Sequence, residues 1–203
     1  EKVSIQSNFY LKSHFFAAYN YFYLRKNNTA QDLLDSIKTD KKNIKSIRHF
    51  EKAGGALLNR NFKKFREEFS QVDTSYYPIA DESAKINQYA TELVNHNTKS
   101  PFLAGIMSSV IPGSGKIYAG KTGEGISSFL TVGGLGVVTW ENYRKKGPAH
   151  FKTILFGSLF SAFYIGNIYG TVFSVKLAED EFQKMYDNKI LFNIHVPLRN
   201  IFN

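Results

Sequence analysis

Residues 153–175, TILFGSLFSAFYIGNIYGTVFSV, run for twenty-three positions without a charge. A membrane-crossing helix needs about 20 predominantly apolar residues, so this stretch alone is long enough to span a bilayer. Two shorter uncharged stretches precede it, residues 100–115 and 125–140, sixteen positions each. The second predicts a companion span over about 124–141, with Glu124 and Glu141 at its rims and Trp140 at the interface. The third predicts a span over about 152–175. Pro112 and its neighbouring glycines break the first, which reads as an interfacial or re-entrant segment covered by protein; whether it spans or re-enters stays open. A soluble core helix pair is the competing reading. Against it, residues 153–175 are apolar all round, without the polar stripe of a surface helix.

The mean hydropathy of −0.28 conceals this division, because residues 1–99 are rich in Lys, Asn, Asp and Glu. The formal charge of +9 would suit an anionic partner. No dense basic run accompanies it, so nucleic acid is not an expected partner. The strongest cluster is Arg144, Lys145 and Lys146, between the two predicted spans. By the positive-inside rule it predicts a cytoplasmic loop, with both flanking segments periplasmic. Cysteine is absent, which removes disulfides, thiolate metal sites and Cys nucleophiles. The chain starts at Glu1 with neither Met nor signal segment; a removed signal peptide and a trimmed chain are both open.

The stretch IPGSGKIYAG, residues 111–120, has the look of a phosphate-binding loop. The P-loop pattern G-x-x-x-x-G-K-[ST] would need glycine at Val110 and a hydroxyl at Ile117, and neither is there. The dinucleotide pattern fails at Tyr118. A membrane-interface turn fits better. Pro112, Gly113, Gly115 and Gly120 permit helix termination and positive φ, Tyr118 suits headgroup depth, and Lys116 and Lys121 can reach lipid phosphates. In the third stretch Ser158, Ala162, Gly166, Gly170 and Ser174 recur every fourth residue and predict a close-packing ridge. Gly133, Gly134 and Gly136 are its expected counterpart.

Pro112, Gly113, Gly115, Tyr118, Gly120 and Gly125, with Tyr164, Asn167, Tyr169 and Gly170 downstream, carry a resemblance. The chain resembles an uncharacterised family of Bacteroidota-type envelope membrane proteins, in which Pro-Gly-x-Gly-x-x-Tyr-x-Gly opens a two-span hairpin after a helical-repeat segment. The likeness covers roughly residues 98–178. It implies the architecture and says almost nothing about chemistry.

Upstream, residues 7–94 predict four or five helices. Leu11, Phe15, Ala18 and Phe22 share one face of the first, Thr29 is a candidate cap for the second, and Pro78 starts the last. Residues 24–37 and 58–72 correspond loosely at an offset of about 34, the tetratricopeptide period, so residues 1–97 are expected to form a degenerate helical-repeat domain. Beyond the hairpin region, 98–178, a polar helix leads into a tail within 179–203. There Ile190, Phe192, Ile194 and Val196 alternate with Leu191, Asn193 and His195. That periodicity predicts a strand seeking an edge on another chain.

No pattern points to catalysis. The five histidines, His14, His49, His96, His150 and His195, lack metal-ligand spacing. Acidic pairs such as Glu67–Glu68 fall in solvated helical runs, and Ser108–Ser109 and Ser127–Ser128 have no nucleophile context. No cofactor or metal is expected. The reading is an all-α, non-enzymatic, membrane-anchored accessory or scaffold subunit of a bacterial envelope complex. Its expected place is the inner membrane, among other membrane subunits and lipid, in protein export or insertion. A small membrane enzyme or lipid-handling protein using the glycine turn is the alternative.

Overall fold

The computed structural model describes Ser7 and residues 9–202; the outer ends of the first and third predicted segments lie outside the described residues. Among the described residues all regular structure is helical: α1 (Tyr10–Tyr23), α2 (Asn27–Asp35), α3 (Lys42–Leu58), α4 (Phe62–Phe69), α5 (Tyr77–Asn95), α6 (Pro101–Val110), α7 (Ser114–Tyr118), α8 (Thr122–Lys146) and α9 (Phe151–Phe202). The chain divides into two compact units. Unit 1 comprises Glu1–His96 and Lys184–Asn203, and unit 2 is Asn97–Gln183.

Unit 1 is a helical domain with an apolar interior. On α1 the i, i+3, i+7 positions Phe15, Ala18 and Phe22 are fully buried, and they meet Phe50, Ile47 and Leu57 of α3 in the same core. α3 carries Gly54–Gly55 near its C-terminal end but still inside the helix, where glycine normally costs stability. Here the missing side chains are needed. A Cβ on Gly55 would overlap the Phe22 ring, and one on Gly54 would overlap Ile194. Asn61 starts α4 by accepting a 3.0 Å bond from the Lys64 amide, and Pro78 lies in the first turn of α5. Thr29 does not cap α2; the helix begins at Asn27 and Thr29 is inside it.

The tail is a helix, which corrects the predicted strand. α9 continues unbroken to Phe202 and its last turns complete the core of unit 1. Ile190, Ile194 and Leu198 are wholly buried, whereas Phe192 is 66% exposed. Alternation at 190, 192, 194 and 196 contains the spacing of four as a subset, and 198 extends it. A helical neighbourhood with no strand edge selects that subset. Phe202 stacks on Phe15 at 5.4 Å, and His195 packs against Tyr19 at 4.5 Å. Pro197, near the helix end, removes only one backbone bond there.

Polar contacts fix the same tail helix. Arg25 and Arg60 have φ of 60° and 55°, each just beyond α1 and α3 respectively. Both reach Asp187, at 2.7 and 2.8 Å, and its side chain is only 10% exposed. Tyr186 donates to Glu92 at 2.5 Å, and Asn193 donates to Tyr89 at 3.3 Å. Glu68 is not a solvated bystander: Lys52 lies 2.7 Å from it and His49 also 2.7 Å, and Lys52 further meets Asp35 at 2.8 Å. Burial opposes ionisation of Glu68, but the bonds from Lys52 and His49 prevail and hold its carboxyl below the usual range.

Candidate functional site: the glycine turn and polar seam of unit 2

Unit 2 is built around the turn that joins α6, α7 and α8. Ser100 caps α6 by accepting from the Leu103 amide at 3.3 Å, and Pro101 occupies the first turn. Ten residues give α6 a length of about 15 Å, half the hydrocarbon thickness of a bilayer. Pro112 then prevents continuation, and Gly113 adopts φ +85° as the N-cap of α7. The close approach of backbones here explains the remaining glycines. A Cβ on Gly113 would overlap the Gly125 carbonyl, and one on Gly115 would overlap the Ala104 carbonyl. Gly120 closes α7 with φ +89°.

Polar side chains of the turn are tied to their neighbours, while Ile117 is exposed. Tyr118 accepts a 3.2 Å bond from the Ser100 amide, with Lys99 Nζ 5.6 Å from its ring centre. Lys116 donates to Ser128 of α8 at 2.9 Å, and Lys121 lies 3.8 Å from Glu124. Lys116 is thus an internal tie between α7 and α8 rather than a cation extended toward phosphates. Backbone of Gly125 and Ala104 fills the space beside Gly113 and Gly115.

Behind the turn runs a polar seam. The Ser108 and Thr171 hydroxyls share a buried 2.9 Å hydrogen bond, and Ser108 Oγ also accepts from the Gly115 amide at 3.1 Å. Tyr164 donates to the Ser109 carbonyl at 2.6 Å, and Asn167 reaches the Ser108 carbonyl at 3.4 Å. Within residues 153–175 the buried residues of α9 are Thr153, Asn167, Thr171, Ser174 and Val175, four of the five polar, with Tyr164 half-buried. Residues 153–175 therefore do carry a polar stripe, contrary to the all-round apolar reading. It points into the protein, where soluble helices place their apolar stripe.

The outer faces are apolar. Phe102, Ile106 and Val110 of α6, Phe129, Leu130 and Val137 of α8, and Ile154, Phe163, Ile165, Tyr169 and Phe173 of α9 are all exposed. α9 is the one helix long and apolar enough to cross a membrane by length and composition among the described residues, and only 11% of its apolar window is buried. A soluble core helix would be mostly enclosed. α8 and α9 meet where a Cβ on Gly136 would stand 3.2 Å from the Phe160 ring and one on Gly157 3.6 Å from Thr139. This contact uses neither Gly133 nor Gly134, which face open space.

The predicted small-residue ridge is split. Ser174 is buried and Gly170 half-buried, while Ser158, Ala162 and Gly166 are exposed. Nothing stands near a Cβ on Gly166 or Gly170. The ridge and the α9 seam share Ser174, and Gly166 and Gly170 each precede a seam residue, Asn167 and Thr171. Arg144, Lys145 and Lys146 fill the last turn of α8, where cations complement the helix dipole, and all three are exposed. Of the tail residues Ile190, Phe192, Ile194 and Val196, the two isoleucines are core of unit 1 and Phe192 faces outward.

Sequence reading missed Ser108 and Thr171, the Asp187 clamp and Glu51. Glu51 could have been found: it sits at helical spacing between Ile47 and Gly54–Gly55 on the buried face of α3. It is fully buried, neither carboxyl oxygen has a partner among the described residues, and burial pushes its carboxyl well above the usual range. No group of three His, Asp or Glu side chains that could hold a metal occurs among the described residues. Comparison with family models, with curated proteins and with solved structures finds no match, so the functional reading rests on the chain's own geometry.

Proposed function

We propose that this chain is a membrane-anchored, non-catalytic accessory or scaffold subunit, with unit 2 as its anchor and unit 1 as its adaptor. One observation carries the reading: unit 2 hides hydroxyls and an amide and presents aromatic and aliphatic side chains outward. Water penalises that polarity, whereas hydrocarbon penalises unpaired polar groups and favours it. In this reading α8 and α9 form the spanning hairpin and α6 re-enters from one side. Residues 153–175 would extend about 34 Å against roughly 30 Å of hydrocarbon.

Unit 1 supports an adaptor role through its paired helices. Arg25 and Arg60 occupy corresponding places after α1 and α3, thirty-five residues apart by number, and converge on one carboxylate. That correspondence favours the degenerate helical repeat, an architecture that commonly binds proteins on an extended face. Placement in a bacterial inner membrane, among other subunits handling export or insertion, is part of this proposal and is supported only by the apolar length of α9. The Arg144–Lys145–Lys146 loop would be cytoplasmic and unit 1 periplasmic.

Alkaline carbonate extraction tests the anchor: the chain should stay with the membrane pellet, and release into the supernatant would refute it. Because the chain has no cysteine, Ala149→Cys supplies a unique label for topology. Labelling by an impermeant maleimide only after permeabilisation is expected; labelling of intact cells would invert the orientation.

A further inference from the structure

The α8–α9 contact leaves a slot at the end of unit 2 that bears the basic loop. Gly136 lacks the side chain that would fill it, and Trp140, Tyr143 and Phe160 wall a cavity of about 340 Å³. Its two threonines present methyl groups. Thr139 Oγ1 donates to the Leu135 carbonyl at 2.7 Å and Thr153 Oγ1 to the Gly147 carbonyl at 3.0 Å, so neither hydroxyl proton is left for a ligand. A second depression of about 390 Å³ shares Trp140 and is lined by Val137, Glu141, Arg144 and Lys145. Lys145 is paired with Glu141 at 2.5 Å. Arg144 and Lys146 have no ion pair or hydrogen bond among the described residues.

An apolar slot that opens beside free cations matches one amphiphile. We propose that this end of the hairpin is a binding site for an anionic phospholipid, resting on the membrane reading above. One acyl chain lies in the slot between Gly136 and Phe160, against the Trp140 and Tyr143 rings. The phosphodiester meets the Arg144 guanidinium, whose planar fork suits two phosphate oxygens. Lys146 adds attraction to a negative headgroup. The paired aromatics, with ring centres 5.8 Å apart, mark the depth at which chain gives way to headgroup. A zwitterionic lipid would fill the slot equally but would set its own ammonium against the same cations.

Trp140 is the only tryptophan in the chain, so its fluorescence reports this site alone. The full chain would be reconstituted in phosphatidylcholine vesicles containing a minor fraction of brominated lipid, either phosphatidylglycerol or phosphatidylcholine. At equal fractions the brominated anionic lipid should quench Trp140 more strongly, and added inorganic phosphate should not relieve it. Arg144→Gln should lower the anionic preference about fivefold, the loss expected for one cation near the surface, while quenching by brominated phosphatidylcholine persists. Lys152→Gln removes a charge that lines neither depression and should leave the preference largely intact. Gly136→Leu should abolish the preference by filling the slot. Equal quenching by both lipids, or equal losses in Arg144→Gln and Lys152→Gln, would reduce the effect to diffuse charge and overturn the site while leaving the anchor standing. Absence of quenching by either lipid would overturn the anchor and the site together.

Discussion

The two units use polarity in opposite directions. In unit 1, Phe15, Phe22, Phe50 and Leu57 are enclosed, while most lysines and the carboxylates of Asp32, Asp35, Asp40, Glu67 and Asp81 face out. In unit 2, Ser108, Asn167 and Thr171 are enclosed while Phe102, Leu130 and Phe163 face out. Both are made of helices of ordinary sequence quality, and one helix, α9, belongs to both. On the membrane reading proposed above, the difference lies in the solvent each surface is fitted to. Where water is outside, burying apolar area drives packing. Where hydrocarbon is outside, that drive vanishes between helices, and close backbone approach with internal hydrogen bonds takes its place. Gly113, Gly115 and Gly125 of unit 2 provide the approach, and the Ser108–Thr171 seam provides the bonds.

The largest effect should come from cutting the helix that both units share. Removing residues 189–203 deletes Ile190, Ile194 and Leu198, each wholly buried. Truncating even one such side chain costs about 2–5 kcal/mol, so unit 1 should lose its cooperative thermal transition. Membrane retention should survive, because residues 97–183 are untouched. A tail acting only as an attachment to another chain would leave the transition intact. That outcome would break the claim that α9 completes the core of unit 1.

A smaller loss, confined to unit 2, is expected from Gly115→Val. Its side chain would overlap the Ala104 carbonyl and press on Thr171, and rigid backbone cannot yield as a flexible side chain does. Overpacking of this kind costs about 3 kcal/mol. Proteolysis after mild solubilisation should then cut within residues 97–183 while unit 1 stays resistant. Uniform resistance would mean that the glycine turn is looser than its geometry states.

How much of this was legible in the sequence follows the same division. The all-helical class, the first-helix face at Phe15, Ala18 and Phe22, and the apolar length of residues 153–175 could be read from periodicity and charge. The turn at Pro112–Gly113 was legible as a turn, because proline and glycine restrict or free φ whatever surrounds them. The tail was not legible. Ile190 and Ile194 satisfy both a period of two and a spacing of four, and only the neighbouring Gly54, which makes room for Ile194, decides between them. Nor was the inward polar stripe of α9, because Tyr164, Asn167 and Thr171 acquire partners from α6, more than fifty residues away. Lys116 misled for a similar reason: its partner Ser128 lies beyond the turn.

Glu51 sharpens the comparison from inside unit 1, where it is a polar group buried as if in unit 2 but without a partner. Its folded carboxyl is pushed above the ordinary value of 4.5 by burial, so the folded state holds the proton more firmly than the unfolded chain. The stability this gives is fully present below the unfolded value and is lost as pH rises toward the folded one, by at most about 1.4 kcal/mol per pH unit. Glu51→Gln cannot ionise. It should raise the unfolding temperature of unit 1 at neutral pH and flatten this loss with rising pH. Denaturant unfolding at several pH values would show it; parallel profiles for both proteins would mean that Glu51 is hydrated in solution.

The smallest effect within the chain should come from Gly166→Leu. Gly166 lies in the apolar helix of unit 2, yet it is exposed and nothing approaches where its Cβ would be. Leucine there replaces a poor helix former, so the fold of unit 2 should be unchanged or slightly more stable. Gly115→Val and Gly166→Leu thus separate two kinds of glycine, one demanded by this chain's own packing and one left open. If the exposed run of Ser158, Ala162 and Gly166 meets another helix in the membrane, Gly166→Leu should reduce co-purification with partner subunits without altering proteolysis of unit 2, since a bulky side chain blocks close approach. Ile165→Leu, one position along α9, should leave co-purification as it is. Equal recovery of partners by both variants would assign the exposed ridge to lipid contact, and the outward face of unit 2 would then be a solvent-facing surface throughout, with hydrocarbon as the solvent.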